Sequence, residues 1–177
     1  MQDFSVFTGR QPGEAEATRF QPEGARPMTD DTLPLPAAAQ QRVRESFARQ
    51  GLMAHLGAEM TQVSRGRVVI VLPFREELTQ QHGFFHAGGT SAIADSAGGY
   101  AGFTLFPEGS SVLTVEFKIN LIAPAEGDRL EAVGTVIKSG RTLTVCTLEV
   151  FACKGAGRTL VAVGQQTLIC LEGKPDR

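Results

Sequence analysis

The residues that could do chemistry are concentrated between Gln80 and Phe106, in the segment QQHGFFHAGGTSAIADSAGGYAGFTLF. A polar loop containing His86 leads into a run of glycine and alanine that carries one acid, Asp95. The length of this run and its lack of proline favour a helix over a strand. Each interior glycine costs a helix roughly 1 kcal/mol relative to alanine, so we expect other backbone to pack tightly against it.

A single carboxylate on a buried helix is expected to have either a hydrogen-bonding partner or a functional role. Aspartate is almost never fully buried unless it is paired, because desolvation of its charge is costly. Residue type alone leaves two interpretations of Asp95 open. It is either a structural carboxylate bonded to a hydroxyl or backbone N–H, or a catalytic acid.

Spacing limits what can act together with Asp95. Gly88 lies seven residues before it, so both are on one helix face but roughly 10 Å apart along the axis. Reacting atoms must approach within roughly 3–3.5 Å, so Asp95 cannot easily act together with a group bound at its own helix start. His86 is no closer, and we favour a loop-anchoring role for it over that of an acid–base partner.

Composition describes an ordinary soluble protein. The 177 residues are 42% hydrophobic and 20% charged, which suits a single domain with a sizeable core. A formal net charge of −2 offers no basic field to nucleic acid, and residues 1–36 contain no helix-turn-helix pattern. No signal peptide or membrane span is visible. The cysteine pattern favours a reducing, cytoplasmic setting.

The sequence patterns argue against a zinc site, a redox-active cysteine pair and a serine-hydrolase active site. Cys146, Cys153 and Cys170 are odd in number and match no zinc or redox spacing, so we expect free thiols in a reducing compartment. No cluster of histidine, cysteine or carboxylate has metal-ligand spacing, and we predict no metal. The absence of a Gly-x-Ser-x-Gly elbow argues against a serine hydrolase.

The elements around the central helix define the predicted fold. Residues 1–36 are a proline-punctuated polar segment expected to be disordered, 37–172 form the domain, and 173–177 are a polar tail. The flanking elements are a helix over 37–50 and strands over 57–64, 67–73, 112–122, 129–138, 142–153 and 158–171. Strands joined by hairpins must be antiparallel. The predicted fold class is α+β, with a curved six-stranded antiparallel sheet wrapped around a long central helix.

The clearest strand pattern is the alternation over 112–122. It places five apolar residues on one dry face, namely Leu113, Val115, Phe117, Ile119 and Leu121. Thr114 then faces the other way, with Glu116 and Lys118.

Two stretches resemble a known family. HAGGTSAIAD, with His86 nine residues before Asp95, is similar to the HGG-to-acid motif of hotdog-fold thioesterases, and the PaaI-like, phenylacetate-degradation branch is the most similar. FKINLIAPAEGDRLEAVGTVIKSGRTLTVCTLEVF resembles the strand, Pro-Ala turn, strand and Gly-Arg/Lys hairpin of that branch. The resemblance covers roughly residues 40–171 in matching order. It implies the hotdog fold and hydrolysis of acyl-CoA thioesters, with no cofactor beyond the CoA of the substrate.

The resemblance implies roles for residues at the central helix. Asp95 is the nucleophile or general base, and Ala87 or Gly88 donates a backbone N–H to the thioester carbonyl oxygen. The unpaired N–H groups and positive potential of a helix N-terminus suit such an oxyanion. Ala87 stands where the family has glycine, which is harmless only if this backbone avoids positive φ.

Further roles follow by position. The family has a polar side chain, usually Asn, six residues before the histidine, where this chain has Gln80 with Gln81 beside it. Thr114 matches a hydroxyl position that helps to place water. The family often holds CoA near a hairpin that corresponds to Lys138, Ser139, Gly140 and Arg141. An ordinary solvated hairpin is the alternative for these four residues.

Family members solve the distance problem as dimers, in which the acid of one subunit serves the oxyanion site of the other, and they often form tetramers. We therefore expect a homo-oligomer that binds acyl-CoA. Two alternatives are a non-catalytic acyl-CoA sensor and a hotdog hydratase or dehydratase. The latter needs an Asp–His pair within hydrogen-bond reach, which the spacing of His86 and Asp95 disfavours.

Overall fold

A computed structural model of the chain describes residues 34–176, so the disorder predicted for residues 1–36 falls outside the described part except at 34–36. Helices α1 and α2 open the fold, α3 is the glycine-rich segment, and six strands complete it. Their bounds are α1 Ala37–Ala48, α2 Gly51–Leu56, β1 Glu59–Ser64, β2 Arg67–Pro73, α3 Ala87–Phe103, β3 Ser111–Leu121, β4 Arg129–Ser139, β5 Leu143–Lys154 and β6 Gly157–Leu171. None of the described helices is long and apolar enough to cross a membrane.

The strands form one antiparallel sheet in the order β1-β2-β4-β5-β6-β3. Helix α3 packs against β2, β3, β4, β5 and β6, so the sheet surrounds it. The predicted six-stranded antiparallel sheet with a central helix is confirmed. This architecture places one face of α3 against β3 and β6, where the acid of the helix lies.

Helix α2 was not predicted. The sequence places the end of the first helix at Gly51, but α1 already ends at Ala48 and Gly51 opens α2. Helix α2 then stops at Gly57, whose φ of 70° is left-handed. The Gly57 N–H donates to the carbonyls of Ala54 and Met53 and closes the last turn. Met53 is buried, so the short helix adds to the core.

Close contact between helix and sheet explains the glycines of α3. A Cβ at Gly102 would overlap the side chain of Leu168 on β6. From the other side, a Cβ at Gly134 on β4 would overlap the backbone of Ala97. The tight backbone packing expected from the glycine content is therefore present, and it offsets the helix-propensity cost of these residues.

The predicted dry face of β3 is wrong. Leu113, Val115 and Leu121 are 56%, 59% and 55% exposed in the single chain. A β-bulge between Thr114 and Glu116 also breaks the alternation, since Thr114 pairs with Leu168 while Phe117 pairs with Gln166. Residues directly opposite one another share a face of the sheet. The extra residue of the bulge therefore turns Thr114 towards the helix.

Candidate active site

Asp95 lies on α3, half-buried, with one carboxylate oxygen held by two donors. Its Oδ1 accepts a 2.8 Å hydrogen bond from Thr114 Oγ1 and a 2.6 Å hydrogen bond from Gln166 Nε2. Gln166 Nε2 also donates to the Asp95 carbonyl at 3.1 Å. Within residues 34–176, no hydrogen bond reaches Oδ2. One oxygen is thus fixed and the other is free to react.

Two cavities meet at Asp95. One, of about 230 Å³, is lined by Asp95, Thr114 and Tyr100 together with polar residues of the α1 end and the C-terminus. The other, of about 320 Å³, opens on the α2 side next to Met53. The Tyr100 hydroxyl lies 3.0 Å from the Ser46 hydroxyl, and burial raises the pKa of Tyr100, so its hydroxyl remains a hydrogen-bond donor.

Gln166 is the residue that sequence reasoning missed. It lies on β6 and is 1% exposed, although the neighbouring Gln165 is exposed. Period-2 alternation along β6 was the available signal, because it places Gln166 on the same face as Ala162 and Leu168. A glutamine on that face must lie against α3.

The start of α3 supplies backbone donors, of which one is already used. His86 caps the helix, and its Nδ1 accepts a 2.8 Å hydrogen bond from the Gly88 N–H. This is the loop-anchoring arrangement that the sequence favoured for His86. The Ala87 N–H donates to no described residue, which makes it the better of the two predicted oxyanion donors. No described non-glycine residue has positive φ, so alanine fits where the family has glycine.

Gln80 and Gln81 lie in the turn before α3. Gln80 Oε1 accepts a hydrogen bond from the His82 N–H, and the Gln80 carbonyl accepts one from the Gly83 N–H at 2.9 Å. The amide oxygen of Gln80 is therefore held within its own turn, while Gln81 is exposed. Of the two, only the amide nitrogen of Gln80 is both partly sheltered and uncommitted among the described residues.

Within one chain, these groups do not converge. Ala87 lies eight residues before Asp95 on the same helix, roughly 12 Å along its axis. Lys138 and Arg141 are exposed at the β4–β5 hairpin. This hairpin lies beside the other end of α3, since the Thr144 side chain would be 3.6 Å from a Cβ built at Gly102. Asp95 and Thr114 come together, whereas the helix start and the hairpin stay apart.

Cys146 and Cys153 lack the features of nucleophiles. Burial raises the pKa of the Cys146 thiol to about 12, and its Sγ faces the Gly98 carbonyl at 3.6 Å. Burial also raises the pKa of Cys153. A thiol is reactive only as thiolate, so neither suits covalent catalysis at neutral pH. The described residues contain no group of three or more metal-binding side chains.

Comparison with known proteins identifies the family. The family model described as the thioesterase superfamily matches residues 82–158. The crystal structure of a thioesterase family protein from Silicibacter pomeroyi is 48% identical, with a TM-score of 0.75, and the match covers 76% of this chain and 99% of that one. The chain belongs to the thioesterase superfamily.

Other members of the superfamily extend the comparison. The proofreading thioesterase EntH of Klebsiella pneumoniae is 25% identical over 104 residues, which are 59% of this chain and 76% of that protein. The E. coli PaaI protein from the phenylacetic acid degradation operon, 20% identical, shares the fold with a TM-score of 0.70 over 80% of this chain and 99% of its own. The hotdog fold and the PaaI-like resemblance are confirmed, and superfamily membership supports thioester hydrolysis as the general reaction.

Proposed function

We propose that this thioesterase hydrolyses acyl-CoA to a free acid and CoA, with Asp95 as nucleophile or general base. The supporting observation is the asymmetric carboxylate, with Oδ1 bound by Thr114 and Gln166 and Oδ2 free beside the cavity of about 230 Å³. A purely structural aspartate has no need of an unused oxygen next to a polar cavity. A group that takes a proton or attacks a carbonyl needs one.

Asp95 can support hydrolysis by either of two routes, as a general base or as a nucleophile. As a base, Asp95 Oδ2 takes a proton from water while the water oxygen bonds to the thioester carbon, and the carbonyl electrons move onto oxygen. Collapse breaks the C–S bond, and the departing CoA thiolate recovers the proton. As a nucleophile, Oδ2 bonds to the carbonyl carbon, expels CoA thiolate and forms a mixed anhydride that water then hydrolyses. Both routes need a donor for the oxyanion.

The oxyanion donor is assigned to Ala87 of the partner subunit in a homodimer. A separation of roughly 12 Å along one helix keeps Ala87 and Asp95 of the same chain from meeting at one carbonyl. Strand β3 lies at an edge of the sheet and exposes Leu113 and Val115, which flank Thr114. An apolar edge strand next to Asp95 is a surface that a second copy would cover. A partner docked there lies directly beside the carboxylate.

CoA is assigned to the β4–β5 hairpin. Lys138 and Arg141 are exposed cations, and phosphate groups are bound by cations and backbone N–H groups. The Gly140 N–H donates to the Leu143 carbonyl, so the charged side chains of Lys138 and Arg141 carry the proposed phosphate contact. Like the helix start, this hairpin lies away from Asp95 of its own chain, so its CoA also belongs to a site shared between subunits.

A non-catalytic acyl-CoA sensor is the second candidate. It accounts for the cavity but not for a partly desolvated carboxylate with a free oxygen. A hydratase is disfavoured because the His86 Nδ1 is occupied by the Gly88 N–H at the helix start, away from Asp95.

Thiol release from a panel of aryl, short, medium and long acyl-CoAs tests the activity. We expect turnover with at least one acyl class, at kcat values of about 1–10³ s⁻¹ typical of enzymes. The substrate with the highest kcat/KM then gives the acyl specificity. Saturable acyl-CoA binding without thiol release on every member of the panel would instead establish the sensor.

Ala87→Pro tests the oxyanion donor by removing a single N–H. Proline is favoured at the first position of a helix, and His86 already has the extended φ of −66° and ψ of 139° that a residue before proline adopts. We expect kcat to fall by about 10²–10³-fold, as for other lost oxyanion donors. The melting temperature should stay close to that of the wild type.

Ala87→Gly is the matched control, since it changes the side chain but keeps the N–H. It should retain kcat. Full activity of Ala87→Pro would mean that the carbonyl oxygen is bound elsewhere, and the Gly89 N–H would become the next candidate.

A further inference from the structure

We infer that Gln166 is a positioning residue, whose buried amide holds Asp95 Oδ1 so that Oδ2 alone faces the substrate. This inference rests on the proposed thioesterase mechanism and adds to it a residue on β6, outside the HGG-to-acid segment. Three observations support it: the hydrogen bonds that the amide donates, the burial of its Oε1 without a hydrogen-bond partner among the described residues, and the space that α3 leaves for the side chain.

The amide nitrogen is surrounded by the catalytic pair. Gln166 Nε2 lies 2.6 Å from Asp95 Oδ1, 3.1 Å from the Asp95 carbonyl and 2.9 Å from Thr114 Oγ1. The same amide group thus contacts the carboxylate of Asp95, the backbone of α3 and the side chain of Thr114 on β3. The two N–H groups of the amide are shared among these three acceptors, and Thr114 Oγ1 also donates to Asp95 Oδ1, so that two donors on one oxygen restrict rotation of the Asp95 side chain.

The orientation of the amide is set by the charge of Asp95. Turning it over would place Gln166 Oε1 against the carboxylate oxygen, so that two acceptors would meet without a proton between them. In the orientation present, Oε1 is buried and has no hydrogen-bond partner among the described residues. A buried acceptor left unpaired is unfavourable for folding, and native proteins seldom keep one without a reason. The donor that this orientation gives to Asp95 is that reason.

The central helix is shaped to admit the amide. A Cβ at Gly98 would overlap Gln166 Oε1, and it would also approach Leu148. Gly98 is one turn after Asp95 on α3, so its missing side chain creates the space into which Gln166 extends. Gly98 on α3 and Gln166 on β6 therefore act together: the glycine leaves the space, and the glutamine side chain fills it beside Asp95.

Gln166→Met tests the role by keeping the length of the side chain and removing its donor. We expect kcat to fall by about 10- to 100-fold with KM little changed, because a carboxylate displaced by about 1 Å can lose that much rate. The melting temperature should be equal to or above that of the wild type, since the unpaired Oε1 is removed. Gln165→Met, on the exposed face of the same strand, is the matched control and should leave both quantities unchanged.

Gln166→Glu adds a pH readout that a packing role would not produce. Protonated, the introduced carboxyl can donate to Oδ1 as the amide does; ionised, it loses the donor and repels Asp95. We expect kcat near the wild-type value at acid pH and a progressive loss as pH rises through the pKa of the introduced group, which burial and Asp95 both raise. Arg49, Tyr100 and Asp176 also line the cavity, so the wild-type profile is the reference.

The outcomes separate this inference from the proposed function. Wild-type turnover with an unchanged kcat in Gln166→Met, or a Gln166→Glu pH profile that coincides with the wild type, would overturn the positioning role and leave the thioesterase intact. A wild-type protein that releases no thiol from any acyl-CoA would remove both. A fall in melting temperature with kcat retained would assign Gln166 to packing alone.

Discussion

Asp95→Asn is expected to lower kcat for acyl-CoA hydrolysis by about 10²–10⁴-fold, the usual contribution of a general base. Asparagine has the same shape, and its Oδ1 can still accept from Thr114 and Gln166, so the local structure should be kept. What is lost is the charge and the reactive Oδ2. Steady-state thiol release from the best acyl-CoA substrate measures the effect, with circular dichroism and size-exclusion chromatography to verify fold and oligomeric state.

Asp128→Asn is the control for a general effect of removing a carboxylate. Asp128 Oδ2 accepts a 2.9 Å hydrogen bond from the Gly155 N–H, and it lies in the turn before β4, away from Asp95. Its substitution should leave kcat unchanged. Equal turnover by wild type and Asp95→Asn would contradict the assignment of Asp95 and shift attention to another group in the cavity.

A single turnover in heavy-oxygen water separates the two roles of Asp95. As a nucleophile, the carboxylate first carries the acyl group, and hydrolysis of the anhydride at the carboxylate carbon leaves labelled oxygen in the enzyme. As a general base, it only moves a proton, so all label enters the released acid. Label found by mass spectrometry in the peptide that contains Asp95 establishes the nucleophilic route, because the general-base route never places label in the enzyme.

Much of the fold was predictable because its signals are local. The glycine-rich run of α3, the hairpins at Arg65-Gly66 and Ser139-Gly140, and the strand alternation each depend on neighbouring residues. The position of Asp95 on a central helix followed from the same signals. Helix α2 was missed because Gly51 carries the same signal whether it ends one helix or begins the next.

The environment of Asp95 was less predictable because it depends on contacts between distant segments. Thr114 reaches the carboxylate only through the bulge of β3, and bulges leave little trace in a strand sequence. Gln166 is separated from Asp95 by 71 residues. Because Gln165 beside it is also a glutamine, residue type does not indicate which of the two side chains is buried. The dry face predicted for β3 failed for the same reason, since period-2 alternation assumes an unbroken strand and the bulge between Thr114 and Glu116 interrupts it.

Subunit complementation should restore activity to a mixture of two inactive variants. In a dimer with shared sites, Asp95→Asn inactivates the acid half of a site and Ala87→Pro the oxyanion half, and the two halves come from different subunits. A mixed dimer then has one site with both defects and one site with neither. Random mixing of a two-fold dimer makes half of the dimers mixed, so about a quarter of wild-type activity should return.

The matched control is a mixture of Asp95→Asn with Gln166→Met, which both damage the acid half. Every site in their mixed dimer carries one of these defects, so the mixture should not exceed the mean of the two parents. Co-expression with two different affinity tags isolates the mixed dimers for assay. If each site instead lay within one subunit, mixed dimers of Asp95→Asn and Ala87→Pro would hold one defect in each site and recover nothing. That result would require Asp95 and the oxyanion donor to meet within a single chain, against their separation of roughly 12 Å along α3.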